Sequence, residues 1–217
     1  MKALIMILAT MGGVQDTPQD IAKKELPKMA ECVICTAHGA GHAEEKPAAG
    51  VKYKGKAYYF CAGKEVAEFK KDPERFMSLS LPFALGALNL KDQTGKVWDA
   101  EALKGKVVLL DYWATWCKPC LVLKPKLDKI RDKYKAQGFE VLSISIDEKR
   151  ETMDKFVKKT PFANPVLWDD KQTWDRLRVI AIPALFLVKD GQVVSAFKAD
   201  AKVEAIEAAV ARLVVSG

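Results

Sequence analysis

The stretch Trp116-Cys117-Lys118-Pro119-Cys120 limits what this chain can fold into more than any other. It follows an apolar run, Val107-Val108-Leu109-Leu110, that ends in Asp111-Tyr112-Trp113. An apolar run, a short turn and then a helix-forming segment predict a buried strand feeding a helix that opens at the first cysteine. Two cysteines at this spacing can close a small disulfide. Unpaired N–H groups and the positive end of the helix dipole favour a thiolate on the first of them. A thiolate is the species that attacks a disulfide, so the segment predicts a thiol–disulfide exchange site. Structural zinc sites use the same spacing, but no cysteine or histidine follows Cys120 to complete one.

Within this site Cys117 is expected at the exposed helix start as the nucleophile. Cys120, one turn in and more buried, is expected as the resolving thiol. Lys118 adds a cation beside the Cys117 thiolate, and Pro119 is tolerated in a first helical turn. The flanking sequence predicts strands at 106–112, 139–146, 184–188 and 193–198. Helices are predicted at 118–137, 150–159, 172–177 and 203–214, and a hairpin turn at Asp190-Gly191. Strands alternating with helices and then a hairpin give an α/β fold with a mixed central sheet flanked by helices.

The segment Asp111-Tyr112-Trp113-Ala114-Thr115-Trp116-Cys117-Lys118-Pro119-Cys120 resembles the active-site segment of thioredoxin-fold proteins. Over residues 82–217 the pattern is similar to the exported TlpA-like thiol–disulfide oxidoreductases. The resemblance implies protein thiol or disulfide substrates, an upstream electron donor and no cofactor for the redox exchange. It implies that Asp111 is a buried carboxylate that accepts the Cys120 proton; burial favours the neutral form of a carboxyl and suits it to that role. It also implies that Pro183, in Ile182-Pro183, is a cis-proline facing the cysteine pair. Several TlpA-like members carry a glutamate three residues after the second cysteine; this chain has Leu123. The proline before the second cysteine, of the thioredoxin type, points to a reductant rather than an oxidant.

The N-terminus reads Met1-Lys2, an apolar run from Ala3 to Met11, then Gly12-Gly13. One positive charge, a short apolar core and small residues predict a secretory signal peptide over residues 1–15. The protein is therefore expected to be exported, periplasmic or extracytoplasmic, where five cysteines meet an oxidising compartment. The odd count leaves at least one cysteine to metal or redox chemistry. The formal net charge is +7, spread along the chain with no arginine-rich tract, which excludes a nucleic-acid-binding reading. A basic face suits proximity to a membrane surface or an acidic partner.

Residues 17–80 differ from residues 82–217, with a boundary expected near Ser80 to Pro82. Lys23 to Met29 is expected as helix disturbed by Pro27, Ala37 to Gly50 as loop, and Val51 to Cys61 as a hairpin. Two short helices broken at Asp72-Pro73 should follow. Cys32-Val33-Ile34-Cys35, His38, His42 and Cys61 place soft thiols and imidazoles close together, a set suited to Zn(II) or Cu(I). From Val51 to Cys61, with Phe69 and Asp72-Pro73-Glu74-Arg75-Phe76 after it, the chain resembles a YHS domain, a small α+β module. Related heavy-metal-binding modules carry a cysteine where this chain has Glu65. The resemblance therefore implies a ligand set of Cys32, Cys35 and Cys61 with one of His38, His42 or Glu65. Redox exchange of Cys32–Cys35 with the downstream pair, or a structural Cys32–Cys35 disulfide, are the other readings of this module. The two functions expected are an exported protein-disulfide reductase, or a copper or zinc chaperone whose thioredoxin-like domain keeps its ligand thiols reduced.

Overall fold

The computed structural model of the chain describes residues 17–39, 44–77, 79–171 and 173–214. The expected signal peptide and His42 lie outside them. The described residues divide into two compact units, 17–34 with 44–74, and 35–39 with 75–214. The expected boundary at Ser80 to Pro82 falls inside the second.

The first unit is built on a hairpin. Strands β1 (Gln19–Asp20), β2 (Ala30–Glu31) and the short helix α1 (Val33–Ala37) precede β3 (Glu44–Glu45), β4 (Ala49–Tyr53) and β5 (Lys56–Phe60). Helices α2 (Glu65–Lys71) and α3 (Pro73–Phe76) follow. The sheet order is β1-β4-β5, all antiparallel, and β2 pairs with β3. Lys54 and Gly55 turn the hairpin, both at positive φ, as a two-residue turn of this kind requires. Phe69 is fully buried between the rings of Tyr53, Tyr58 and Phe60. Asp72-Pro73 separates the two helices because proline cannot continue the first.

Two expectations for this unit are corrected. Lys23 to Met29 forms only one 3-10 turn, Lys23–Glu25, and then runs extended into Pro27. Residues 37–50 are not all loop, because β3 and the start of β4 lie there. Gly50 is a strand residue at a crowded crossing: a Cβ on it would stand 2.9 Å from Leu26 Cδ2 and 3.1 Å from Tyr59 Cδ1.

The second unit continues with β6 (Phe83–Ala84), β7 (Asn89–Lys91), β8 (Val97–Asp99), α4 (Ala100–Leu103), β9 (Val107–Trp113) and α5 (Lys118–Tyr134). Then come β10 (Phe139–Ser145), α6 (Arg150–Lys159), β11 (Val166–Trp168), α7 (Thr173–Arg176), β12 (Ala184–Lys189), β13 (Gln192–Phe197) and α8 (Val203–Val214). Its six-stranded sheet has the order β11-β10-β9-β12-β13-β6. The first three strands are parallel and the last three antiparallel. This is the mixed sheet flanked by helices that the alternation predicts.

Every residue of the central strand β9 is buried. Its alternate side chains feed two separate cores: Val108, Leu110 and Tyr112 on one face, Val107 and Leu109 on the other. The second core takes Leu127 and Ile130 from α5, and Ile206 and Val210 from α8. Each such side chain contributes about 1.5–3 kcal/mol on leaving water, so α5 is fixed firmly over the face that carries Asp111. No helix among the described residues is long and apolar enough to cross a membrane.

Candidate functional site

Strand β9 ends at Trp113 and α5 begins at Lys118, so the loop between them holds the first cysteine at the helix N-cap. Cys117 and Cys120 form a disulfide with a Cα–Cα distance of 5.3 Å. The Cys117 sulfur also accepts the Cys120 backbone N–H at 3.3 Å. This is the donor group that would stabilise a Cys117 thiolate once the disulfide opens. The expectation of an exposed Cys117 is corrected: it is 4% exposed and Cys120 1%. In the disulfide the Cys117 side chain lies against the helix start. There both sulfurs pack in an apolar cluster with Trp113, Met153 and Val166, and with Ile182 against it. Trp116 is 67% exposed beside them. Pro183 is buried, and the Ile182–Pro183 bond is cis. A second cis bond precedes Pro82.

Asp111 lies on the α5 side of β9, in register with Ser143 of β10, and is 1% exposed. It does not stand alone. Lys124, one turn beyond Cys120 on the same helix face, reaches down to it. Its Nζ donates to Asp111 Oδ2 and to Ser143 Oγ, each at 2.5 Å. The ammonium also lies 4.9 Å from the centre of the Trp113 ring and 4.7 Å from that of Phe162. Burial lowers the Lys124 pKa below its ordinary value, while the Asp111 carboxylate beside it opposes that shift. A carboxylate, an ammonium and a hydroxyl thus share a dry site one helical turn from Cys120, an arrangement able to hold or hand over one proton.

A second carboxylate fixes the loop before Cys117. Asp147, buried at the end of β10, accepts the Thr115 backbone N–H at 3.1 Å, the Thr115 hydroxyl at 2.7 Å and the Ser145 hydroxyl at 2.7 Å. Neither Lys124 nor Asp147 emerges from the sequence reading. The only signal available there was the spacing of Lys124 from Cys120, four residues on one helix face.

The structure brings together a second set of chemistry-bearing residues. Single donor atoms from Cys32, Cys35, Cys61 and Glu65 all lie within 4.8 Å of one another. Cys32 directly precedes α1 and Cys35 lies within its first turn, Cys61 directly follows β5, and Glu65 opens α2. The three cysteines stand as thiols. The Cys32 sulfur donates to Glu65 Oε2 at 3.4 Å, and the Cys61 sulfur to Glu65 Oε1 at 3.4 Å. His38 is exposed after α1 and is not in this group.

A parallel-then-antiparallel sheet with a Cys-x-x-Cys disulfide at a helix N-cap and a cis-proline nearby defines the thioredoxin class of redox proteins. The thioredoxin-like family model matches residues 105–193. The chain is 35% identical over 118 residues to the thiol-disulfide oxidoreductase ResA of Bacillus thuringiensis subsp. konkukian, covering 54% of this chain and 68% of that protein. It is 33% identical over 137 residues to ResA of Bacillus cereus, covering 62% of this chain and 72% of that one. Among solved structures, a Chlorobium tepidum protein assigned as the thiol:disulfide interchange protein DsbE superposes with a TM-score of 0.56 at 30% identity, over 64% of this chain and 98% of that one. The chain belongs to the thioredoxin-like thiol–disulfide oxidoreductases, proteins whose redox exchange needs no cofactor.

Proposed function

We propose that the protein is exported and reduces disulfides of partner proteins through Cys117 and Cys120. The observation that carries this reading is the place of the Cys117 sulfur, at the N-cap of α5 and accepting the Cys120 N–H. In the reduced protein the Cys117 thiolate attacks one sulfur of the substrate disulfide. That bond breaks, a mixed disulfide forms, and the first substrate thiolate leaves. Cys120 then gives its proton to the Asp111–Lys124 pair and attacks the Cys117 sulfur. The Cys117–Cys120 bond closes and the second substrate thiolate leaves. Two electrons and, after protonation, two protons have passed to the substrate, and an upstream dithiol donor restores the pair. Pro183 supports substrate docking from the loop opposite.

The test is trapping. Cys120→Ser should accumulate a Cys117–substrate mixed disulfide with a model protein disulfide, and Cys117→Ser should form none. Trapping through neither cysteine would refute the assignment. The direction of electron flow is read from the potential of the couple. A value near about −270 mV marks a reductase, and one near about −120 mV would make the protein a disulfide donor instead. Export rests on the signal-type segment over residues 1–15; N-terminal sequencing of the protein from its host should find that segment removed.

A second reading is favoured by the thiol cluster. Residues 17–80 act as a YHS-like metal-binding module, holding Zn(II) or Cu(I) on Cys32, Cys35 and Cys61, and the redox pair keeps those thiols reduced. Three thiols and a carboxylate are a donor set suited to either ion.

A further inference from the structure

The metal reading of the thiol cluster leaves the ion open, and Glu65 closes it. We infer that Cys32, Cys35, Cys61 and Glu65 form a closed, four-coordinate site for a divalent, zinc-like ion, with Glu65 as the ligand that selects Zn(II) over Cu(I). The inference rests on the metal-binding reading and adds the fourth ligand and the ion.

The geometry fits a tetrahedral zinc shell. With Zn–S near 2.3 Å and Zn–O near 2.0–2.2 Å, a tetrahedral site has a sulfur–oxygen edge of about 3.6 Å and a sulfur–sulfur edge of about 3.8 Å. The Glu65 oxygens lie 3.4 Å from the Cys32 sulfur and 3.4 Å and 3.5 Å from the Cys61 sulfur. All four donors fall within 4.8 Å of one another. An ion at the centre would take the place of the thiol protons now shared with the carboxylate, with little movement of the chain.

The carboxylate is also held in place. Ala62 N–H donates to Glu65 Oε2 at 3.1 Å, an outer partner of the kind that orients a ligating carboxylate. The ligands sit on the edges of regular elements: β5 ends beside Cys61, α2 opens at Glu65, and Cys32 itself bridges to Tyr59 of β5. Cys32 is 3% exposed. Four protein donors leave no open position, which is the form of a structural zinc site rather than a catalytic one.

Selection follows from charge and softness. Three thiolates and a carboxylate carry four negative charges, and a dication halves that excess where a monocation removes a quarter. Cu(I) is soft and is satisfied by thiolates, so a carboxylate oxygen adds nothing to its binding. Zn(II) accepts thiolate and carboxylate together.

The experiment uses the full chain with Cys117→Ser and Cys120→Ser, so that only the cluster supplies thiols. Zn(II) and Cu(I) are each titrated into reduced protein against a chromophoric chelator, and Co(II) is added as a spectroscopic stand-in for zinc. The expected result is one Zn(II) per chain and a thiolate-to-Co(II) charge-transfer band. Glu65→Gln, which keeps an acceptor for the Ala62 N–H, should weaken Zn(II) by at least about tenfold, the smallest loss typical of a disrupted ligand shell. It should leave Cu(I) affinity unchanged. Equal loss for both ions, or for neither, would overturn the role of Glu65 while leaving the metal reading standing. Failure to hold either ion against the chelator would overturn both. Circular dichroism of Glu65→Gln separates lost ligation from lost folding.

Discussion

A carboxylate and an ammonium taken out of water together lose their hydration, and their attraction repays it only while both partners are present. At Asp111 and Lys124 this makes single substitutions misleading. Asp111→Asn alone strands the Lys124 amine between Ser143, Trp113 and Phe162. Lys124→Met alone strands the carboxylate. Each single variant should lose about 3–5 kcal/mol of stability, and the double variant should be nearer the native protein than either. Urea unfolding midpoints of the four proteins measure the coupling; additive losses would show that the pair is not a unit. The pH dependence follows with its sign. Lys124 holds its proton less readily folded than unfolded. The unfolded chain thus binds more protons between the lowered value and the ordinary 10.5, and stability rises with pH across that window. The native protein should gain stability relative to the double variant as pH climbs towards 10.5, measured by unfolding at successive alkaline pH values.

Elements matter here chiefly through their ends. β9 delivers the loop, α5 receives it, and Asp147, two residues past the end of β10, clamps Thr115 between them. Asp147→Ala would leave the Thr115 N–H and two hydroxyls without their acceptor, at a cost of about 1–3 kcal/mol. The same change should speed hydrogen exchange at the Thr115 amide, and it should lower the rate of disulfide reduction by loosening the approach to Cys117. Unchanged exchange at Thr115 would show that the clamp does not hold the loop. The elements themselves were largely legible. β9 reads from the apolar run Val107 to Leu110 because both its faces are buried, and α8 reads from Val203, Ile206, Val210 and Leu213 at helical spacing. Gly50 misled because a small residue suggests a loop, whereas here it is small so that Leu26 and Tyr59 can close over a strand. The two-residue β6, joined to the sheet only by its pairing with β13, carries no periodicity to read.

At the scale of the whole chain, the disulfide pair and the proposed metal cluster share no cysteine, so the two proposed functions can be separated by one substitution. Cys117→Ser should abolish disulfide reduction. Metal loading of the same protein, reduced beforehand, should be spared because Cys32, Cys35, Cys61 and Glu65 are untouched. Loss of both activities together would mean that the first unit depends on the active-site sulfur. The assay pairs reduction of a protein disulfide with Zn(II) titration of the pre-reduced chain.

What the sequence determined by itself was everything set by local spacing: the disulfide at a helix start, the buried strand before it, the hairpin of the first unit, and Pro183 ahead of its strand. These follow from covalent proximity and from periodicity, which a single chain segment carries whole. What only the tertiary structure decided was which side chains meet across elements. Lys124 is by default a solvated lysine on a helix; it turns inward because β9 and β10 place a carboxylate and a hydroxyl side by side beneath it. Glu65, four residues after Cys61, was one of three candidates for a fourth ligand. Packing of α2 against the hairpin brings its carboxylate onto two sulfurs and leaves His38 outside. Contacts of that kind depend on the direction in which distant backbone segments cross, and residue spacing along the chain does not encode it.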